Sequence, residues 1–90
     1  MKFEWDENKA AANLAKHSVS FPEAAGVFDD PFFVDFHDPD HSAVEQRYIT
    51  VGISERGRLL VVSYTERDDV IRLISAREAT STERRTYEHE

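Results

Sequence analysis

The chain has 90 residues, 40% of them hydrophobic, no cysteine and a formal net charge of −7. That leaves room for one domain over residues 1–90 with a modest core, and excludes a disulfide framework and thiolate chemistry. The longest aliphatic run, Leu59-Leu60-Val61-Val62, is far too short to span a bilayer, and the acidic total disfavours general nucleic-acid binding.

Lys2-Phe3-Glu4-Trp5 alternates in polarity and is a candidate short edge strand. No apolar run of a secretion signal accompanies it, so a cytoplasmic location is expected. Asp6 can cap a helix from Glu7 to about His17. Ala10 and Leu14 are its expected apolar side, with Lys9, Asn13, Lys16 and His17 on a polar side at helical spacing. Ser20-Phe21-Pro22-Glu23 reads as a capping box opening a second helix through Phe28, which Asp29-Asp30-Pro31 stops. Strands are expected at Phe32–Phe36, Glu45–Ile53, Arg58–Glu66 and Val70–Arg77, joined by turns at Ser54-Glu55-Arg56-Gly57 and Arg67-Asp68-Asp69. Thr80-Ser81-Thr82-Glu83 is a further capping box and starts a C-terminal helix. Short connections require antiparallel pairing. The expected fold is therefore α+β: two N-terminal helices, a four-stranded antiparallel meander and a C-terminal helix.

Charge is unevenly distributed. Residues 1–46 hold three lysines against ten carboxylates, whereas all eight arginines fall between Arg47 and Arg85. Guanidinium groups are the best bidentate phosphate ligands, so their placement on the meander suggests a local anion site on an acidic body. Arg67 and Arg77 are the first candidates for a phosphate clamp, and a surface ion pair is the competing reading of each. Arg72 has the opposite strand parity to Arg77, so without a bulge the two point to different faces. Glu45 is the candidate general base, with Arg47 on its face; a solvated edge-strand pair is the alternative. Tyr48 and Tyr64 could stack on a base or sit in the core. Lys16 and His17 suit a helix C-terminus electrostatically. His17 also has the reference pKa for proton transfer. The loop His37-Asp38-Pro39-Asp40-His41 holds metal-ligand residue types, but no partner constellation such as HExxH occurs, and a solvated acidic loop is the favoured reading. No Walker or GxGxxG loop is present, and no cofactor is expected.

Several strings, taken together, carry a resemblance. They are Trp5-Asp6-Glu7-Asn8-Lys9, Asn13, Lys16-His17, Val19, Phe21, Val27-Phe28-Asp29-Asp30-Pro31, Gly52, Arg67, Ile71-Arg72-Leu73-Ile74-Ser75-Ala76-Arg77, Glu83-Arg84 and Tyr87. In this order and at these separations the chain resembles the BrnT family of bacterial type II toxins. The resemblance implies a compact RelE-like fold, ribonuclease activity that halts translation, and neutralisation by a BrnA-type antitoxin. That partner would be a small DNA-binding protein, so DNA would be met only through it; no membrane is involved. The chain departs from the family at Glu45-Gln46-Arg47, where two acidic residues usually precede the arginine, and at Glu78, where a basic residue often stands. On the family reading the chain is a toxin that cleaves RNA without metal, by attack of the 2′-hydroxyl on the adjacent phosphate. The competing readings are a weak or inactive toxin-like module acting as antitoxin partner and co-repressor, and a metal-dependent nuclease using the 37–41 loop.

Overall fold

A computed structural model describes residues 1–37 and 46–89. In chain order the elements are β1 (Lys2–Glu4), α1 (Glu7–His17), α2 (Phe21–Ala25) continued by a 3₁₀ turn (Gly26–Asp29), β2 (Val34–His37), β3 (Arg47–Ile53), β4 (Leu59–Arg67), β5 (Val70–Glu78) and α3 (Ser81–Glu88). The fold is α+β, with a sheet in the order β1-β5-β4-β3-β2. The expected four-stranded meander is its larger part, and each of those strands pairs antiparallel with its neighbour. The expectation fails at the edge: β1 adds a fifth strand, parallel to β5, so the sheet is mixed. A parallel neighbour needs a long crossover, and the helices between β1 and β2 supply it.

The sheet separates two apolar layers. One face packs Leu60, Val62, Tyr64, Ile71, Leu73 and Ala76 against Val19, Phe21, Ala24 and Val27 from the α1–α2 region. The other packs Val51, Leu59 and Val61 against Ala79 and Tyr87 at α3. Thr80 and Glu83 form the expected capping box of α3. At α2 the box is half made. Ser20 Oγ accepts from the Glu23 amide, but the Glu23 carboxylate is buried and turns to Ser54 and Arg58 instead. Asp30, at the end of the 3₁₀ turn, joins three segments: its carboxylate accepts from the amides of Phe32 and Ile53 and from the Tyr87 hydroxyl. Gly52 permits this approach, since a Cβ there would lie 2.8 Å from Val27 Cγ1 and 3.2 Å from Asp30 Oδ2.

Two residues of α1 are placed opposite to expectation. Leu14 is 52% exposed, while Asn13 is buried. The Asn13 amide donates to the carbonyls of Val19 and Ala76 and accepts from the Ala76 amide. It thereby satisfies the edge of β5 beyond the end of β1, where a neighbouring strand would otherwise bond. Asn13→Ala is expected to lower stability by about 2–3 kcal/mol, because it strands buried main-chain groups that a methyl cannot serve. Chemical denaturation measures the loss, and Asn13→Asp should not restore it, since a carboxylate cannot donate to the two carbonyls.

Candidate functional site: an arginine row on the sheet

The turn between β4 and β5 sets the site. Asp68 and Asp69 both have positive φ, 53° and 66°, the geometry of a two-residue hairpin turn. A two-residue turn pairs Arg67 with Val70, and therefore Thr65 with Arg72. Thr65 also pairs with Arg47 of β3, and Arg72 with Glu4 of β1. Cross-strand partners point to the same face about 5 Å apart. The result is a transverse row, Arg47–Thr65–Arg72–Glu4, with Arg67 one row further toward the turn. The row lies on the face that α3 covers at its other end. Glu4, Thr65, Arg67, Asp68, Val70 and Arg72 line a cleft of about 310 Å³ beside it. Arg72 Nη1 donates to Glu4 Oε2 at 2.6 Å, and both side chains are about half exposed. Such a pair is weak and can exchange for a better anion.

A bulge decides which arginines share this face. Ser63 pairs with Ser75 but Tyr64 pairs with Leu73, leaving Ile74 as an extra residue in β5. One inserted residue reverses the alternation, so Arg72 and Arg77 face the same way despite their opposite parity. Same-facing is not convergence, however. Arg77 pairs with Val61, six residues of β4 from Arg67, a separation of about 20 Å at the rise of an extended strand. Arg67 and Arg77 therefore do not grip one phosphate, contrary to expectation. Both terminal nitrogens of Arg77 donate to Glu83, at 2.8 Å each. Glu83 in turn accepts from the Thr80 amide at the start of α3. Arg77 holds the Glu83 carboxyl down to about 2, against the opposing effect of burial. Arg77 is thus a strut between β5 and α3.

The remaining sequence candidates fall elsewhere. Tyr64 is buried in the opposite, α1–α2 layer, and its hydroxyl donates to Asp35 at 2.6 Å. Burial, and then Asp35, push that hydroxyl well above the ordinary phenol range. Tyr64 is therefore closed to base stacking. Tyr48 stacks on Tyr64 at 5.6 Å and is partly buried on the same layer. Lys16 and His17 line a separate groove of about 240 Å³ with Lys9, Asn13, Ile74 and Ser75; on the sheet face the row of Ser75 is next to that of Arg72. Glu45, and the 37–41 loop apart from His37, lie outside the described residues. His37 bonds the Gln46 side chain and packs edge-on to Tyr48. Among the described residues no group of three or more His, Asp or Glu side chains could hold a metal, and no helix is long and apolar enough to cross a membrane. Of the residues lining the cleft, the sequence reading does not name Thr65 or Glu4 as candidates and sets Arg72 against Arg77 on parity, although the two-residue turn fixes the register that joins Thr65 and Arg72.

Residues 5–83 match the family described as ribonuclease toxin, BrnT, of type II toxin-antitoxin system. Among solved structures, the chain is similar to the crystal structure of the Brucella abortus ribonuclease toxin BrnT. The likeness has a TM-score of 0.65 and 23% sequence identity, and covers 90% of this chain and 99% of that one; it shows a shared fold. No curated protein matches the chain. The family match spans most of the sequence and includes every element from α1 to β5, and on that ground the chain belongs to the BrnT family of type II toxin-antitoxin ribonuclease toxins.

Proposed function

We propose that this chain is an endoribonuclease toxin that cleaves RNA without a metal ion, and that the Arg47–Thr65–Arg72 row with Arg67 is its phosphate site. The observation that carries the reading is the strand register that sets Arg47, Arg67 and Arg72 around Thr65 on one face, beside a cleft that Arg67 and Arg72 line, on a protein of net charge −7. Cations fixed on strands stabilise the charge that builds on a phosphate in the transition state, at no cost of reorganisation.

The reaction balances with groups that the cleft can supply. The 2′-oxygen bonds to the adjacent phosphorus as its proton passes to a carboxylate. The bond from phosphorus to the 5′-oxygen breaks, and that oxygen takes a proton from water. Of the two carboxylates that line the cleft, Glu4 and Asp68, Glu4 pairs with Arg72 and is our choice of base; Glu45 is the base the sequence suggests. Lys16, Lys9 and His17, one row along β5, would take the next phosphates of a single strand, where cations follow the backbone. This is the strategy of RelE-like toxins, and its cellular result would be arrested translation and growth.

The test is cleavage of cellular RNA by the purified chain in excess EDTA, with and without ribosomes. Cleavage that survives chelation supports the reading; intact RNA in every condition removes it. Intact RNA with tight antitoxin binding would select the second reading, a binding module. That reading is favoured by the carboxylate pairing of Arg58, Arg72 and Arg77.

A further inference from the structure

The opposite edge of the sheet carries a surface that RNA chemistry does not use. β2 ends the sheet, and among the described residues no strand pairs with its outer edge. Phe32 is 74% exposed, and Phe33 and Phe36 are 40% exposed. A groove of about 600 Å³ runs between Phe32–Asp35 and the end of α3 at Tyr87 and Glu88. A second, of about 200 Å³, lies between Phe36, Ile49 and Val51 and the α3 residues Glu83 and Thr86. A third, of about 300 Å³, is bordered by Asp29, Asp30, Ile53 and Glu55. Together the three are lined by six carboxylates and by no Lys, Arg or His, although Arg77 pairs with Glu83 and Arg84 with Glu88 from outside the grooves. The grooves near the β1 edge differ: one holds Arg67 and Arg72 beside Glu4 and Asp68, and the other holds Lys9, Lys16 and His17.

Exposed phenyl rings in a mainly acidic rim mark an interaction surface. An acidic rim repels a phosphate backbone, so the rings are not a platform for RNA bases. The same rim attracts a cationic polypeptide. The unpaired edge of β2 offers main-chain donors and acceptors to a chain lying beside it. We propose that this edge is the antitoxin docking surface, and that its occupant is a basic, apolar segment of the antitoxin lying extended along β2. In this arrangement apolar side chains cover Phe32 and Phe36, while Lys or Arg side chains meet Asp29, Glu55 and Glu88. An antitoxin follows from membership of the family, so the inference stands whether or not the arginine row cuts RNA.

The test is a binding titration of the purified chain with the purified antitoxin of its own toxin-antitoxin pair. Phe32→Asp and Glu88→Lys should each weaken binding by about tenfold or more, as for an anchor at the centre of an interface. Phe32 is three-quarters exposed, so the melting temperature of Phe32→Asp should stay at the wild-type value. Arg72→Glu should leave affinity unchanged, and wild-type binding should weaken as salt rises. Wild-type affinity in both edge variants overturns the proposal. So does loss of binding in Arg72→Glu alone, which would put the antitoxin on the arginine row. A dimer of the isolated chain that Phe32→Asp dissociates would make the edge a self-interface, and overturns it equally.

Discussion

Arg72→Ala is expected to lower RNA cleavage by about 10²–10³-fold, the cost of removing one fixed donor that stabilises transition-state charge. Stability should hardly change, because its pair with Glu4 is about half exposed on both sides and such pairs contribute about 0–1 kcal/mol. Arg77→Ala should show the opposite balance. It removes both bonds that join β5 to the first turn of α3, so the melting temperature falls. Cleavage per folded molecule should be retained, because the proposed phosphate site is about 20 Å away along the strands. Cleavage rates normalised to the folded fraction from circular dichroism separate the two cases. If Arg77→Ala abolishes cleavage at an unchanged melting temperature while Arg72→Ala cleaves normally, the site belongs at the α3 end of the sheet. Arg72→Lys should recover only part of the activity, because an ammonium cannot make two parallel bonds to a phosphate.

The largest effect on stability is expected at Arg58. Glu23 is buried at 4% exposure, and it accepts from Arg58 Nε at 2.9 Å and from Ser54 Oγ at 2.7 Å. Arg58 also donates to the Ser18 carbonyl at the end of α1. Arg58 is 24% exposed, but removing it leaves the buried Glu23 carboxylate without compensation, which is strongly destabilising. Arg58→Ala should therefore unfold a large share of the protein, whereas Arg58→Met with Glu23→Gln should be far milder. The pH dependence identifies the cause. Arg58 holds the Glu23 carboxyl below its ordinary value of 4.5, against burial and with help from Ser54. A folded pKa below the unfolded one gives stabilisation that is complete above about 4.5 and is lost as pH falls through the folded value. In Arg58→Ala burial prevails, and Glu23 takes up a proton more readily than in the unfolded chain. The deficit of the variant should thus be greatest near neutrality and shrink toward pH 4. A deficit independent of pH would show that Arg58 acts through packing and not through the charge of Glu23.

Much of this architecture is legible in the chain. Polar caps at Asp6, Ser20 and Thr80 locate the helix starts because those side chains satisfy amides that the helix leaves open. The stop at Asp30-Pro31 and the two-residue turn at Asp68-Asp69 are local chemistry as well. What escapes the sequence is set by partners far away along the chain. Asn13 reads as a surface residue at helical spacing, yet its three bonds reach Val19 and Ala76. Glu23 reads as the second half of a capping box, but Arg58, 35 residues later, claims it. The bulge at Ile74 has no glycine to announce it, and it moves Arg77 to the face that simple alternation gives to Arg72. The parallel seat of β1 depends on the helical crossover and not on its own short sequence. Fold class was therefore readable from local signals, whereas the composition of the proposed phosphate site depended on one strand register.

The carboxamide of Asn13 has a consequence for how the molecule meets other chains. By giving Ala76 both a donor and an acceptor, it stands in for one residue of β1 beyond that strand's end and closes this part of the β5 border to a newcomer. Among the described residues, that leaves only the short outer edges of β1 (Lys2–Glu4) and β2 (Val34–His37) for an added strand. Free edges as short as these resist the end-to-end stacking that long open borders would invite.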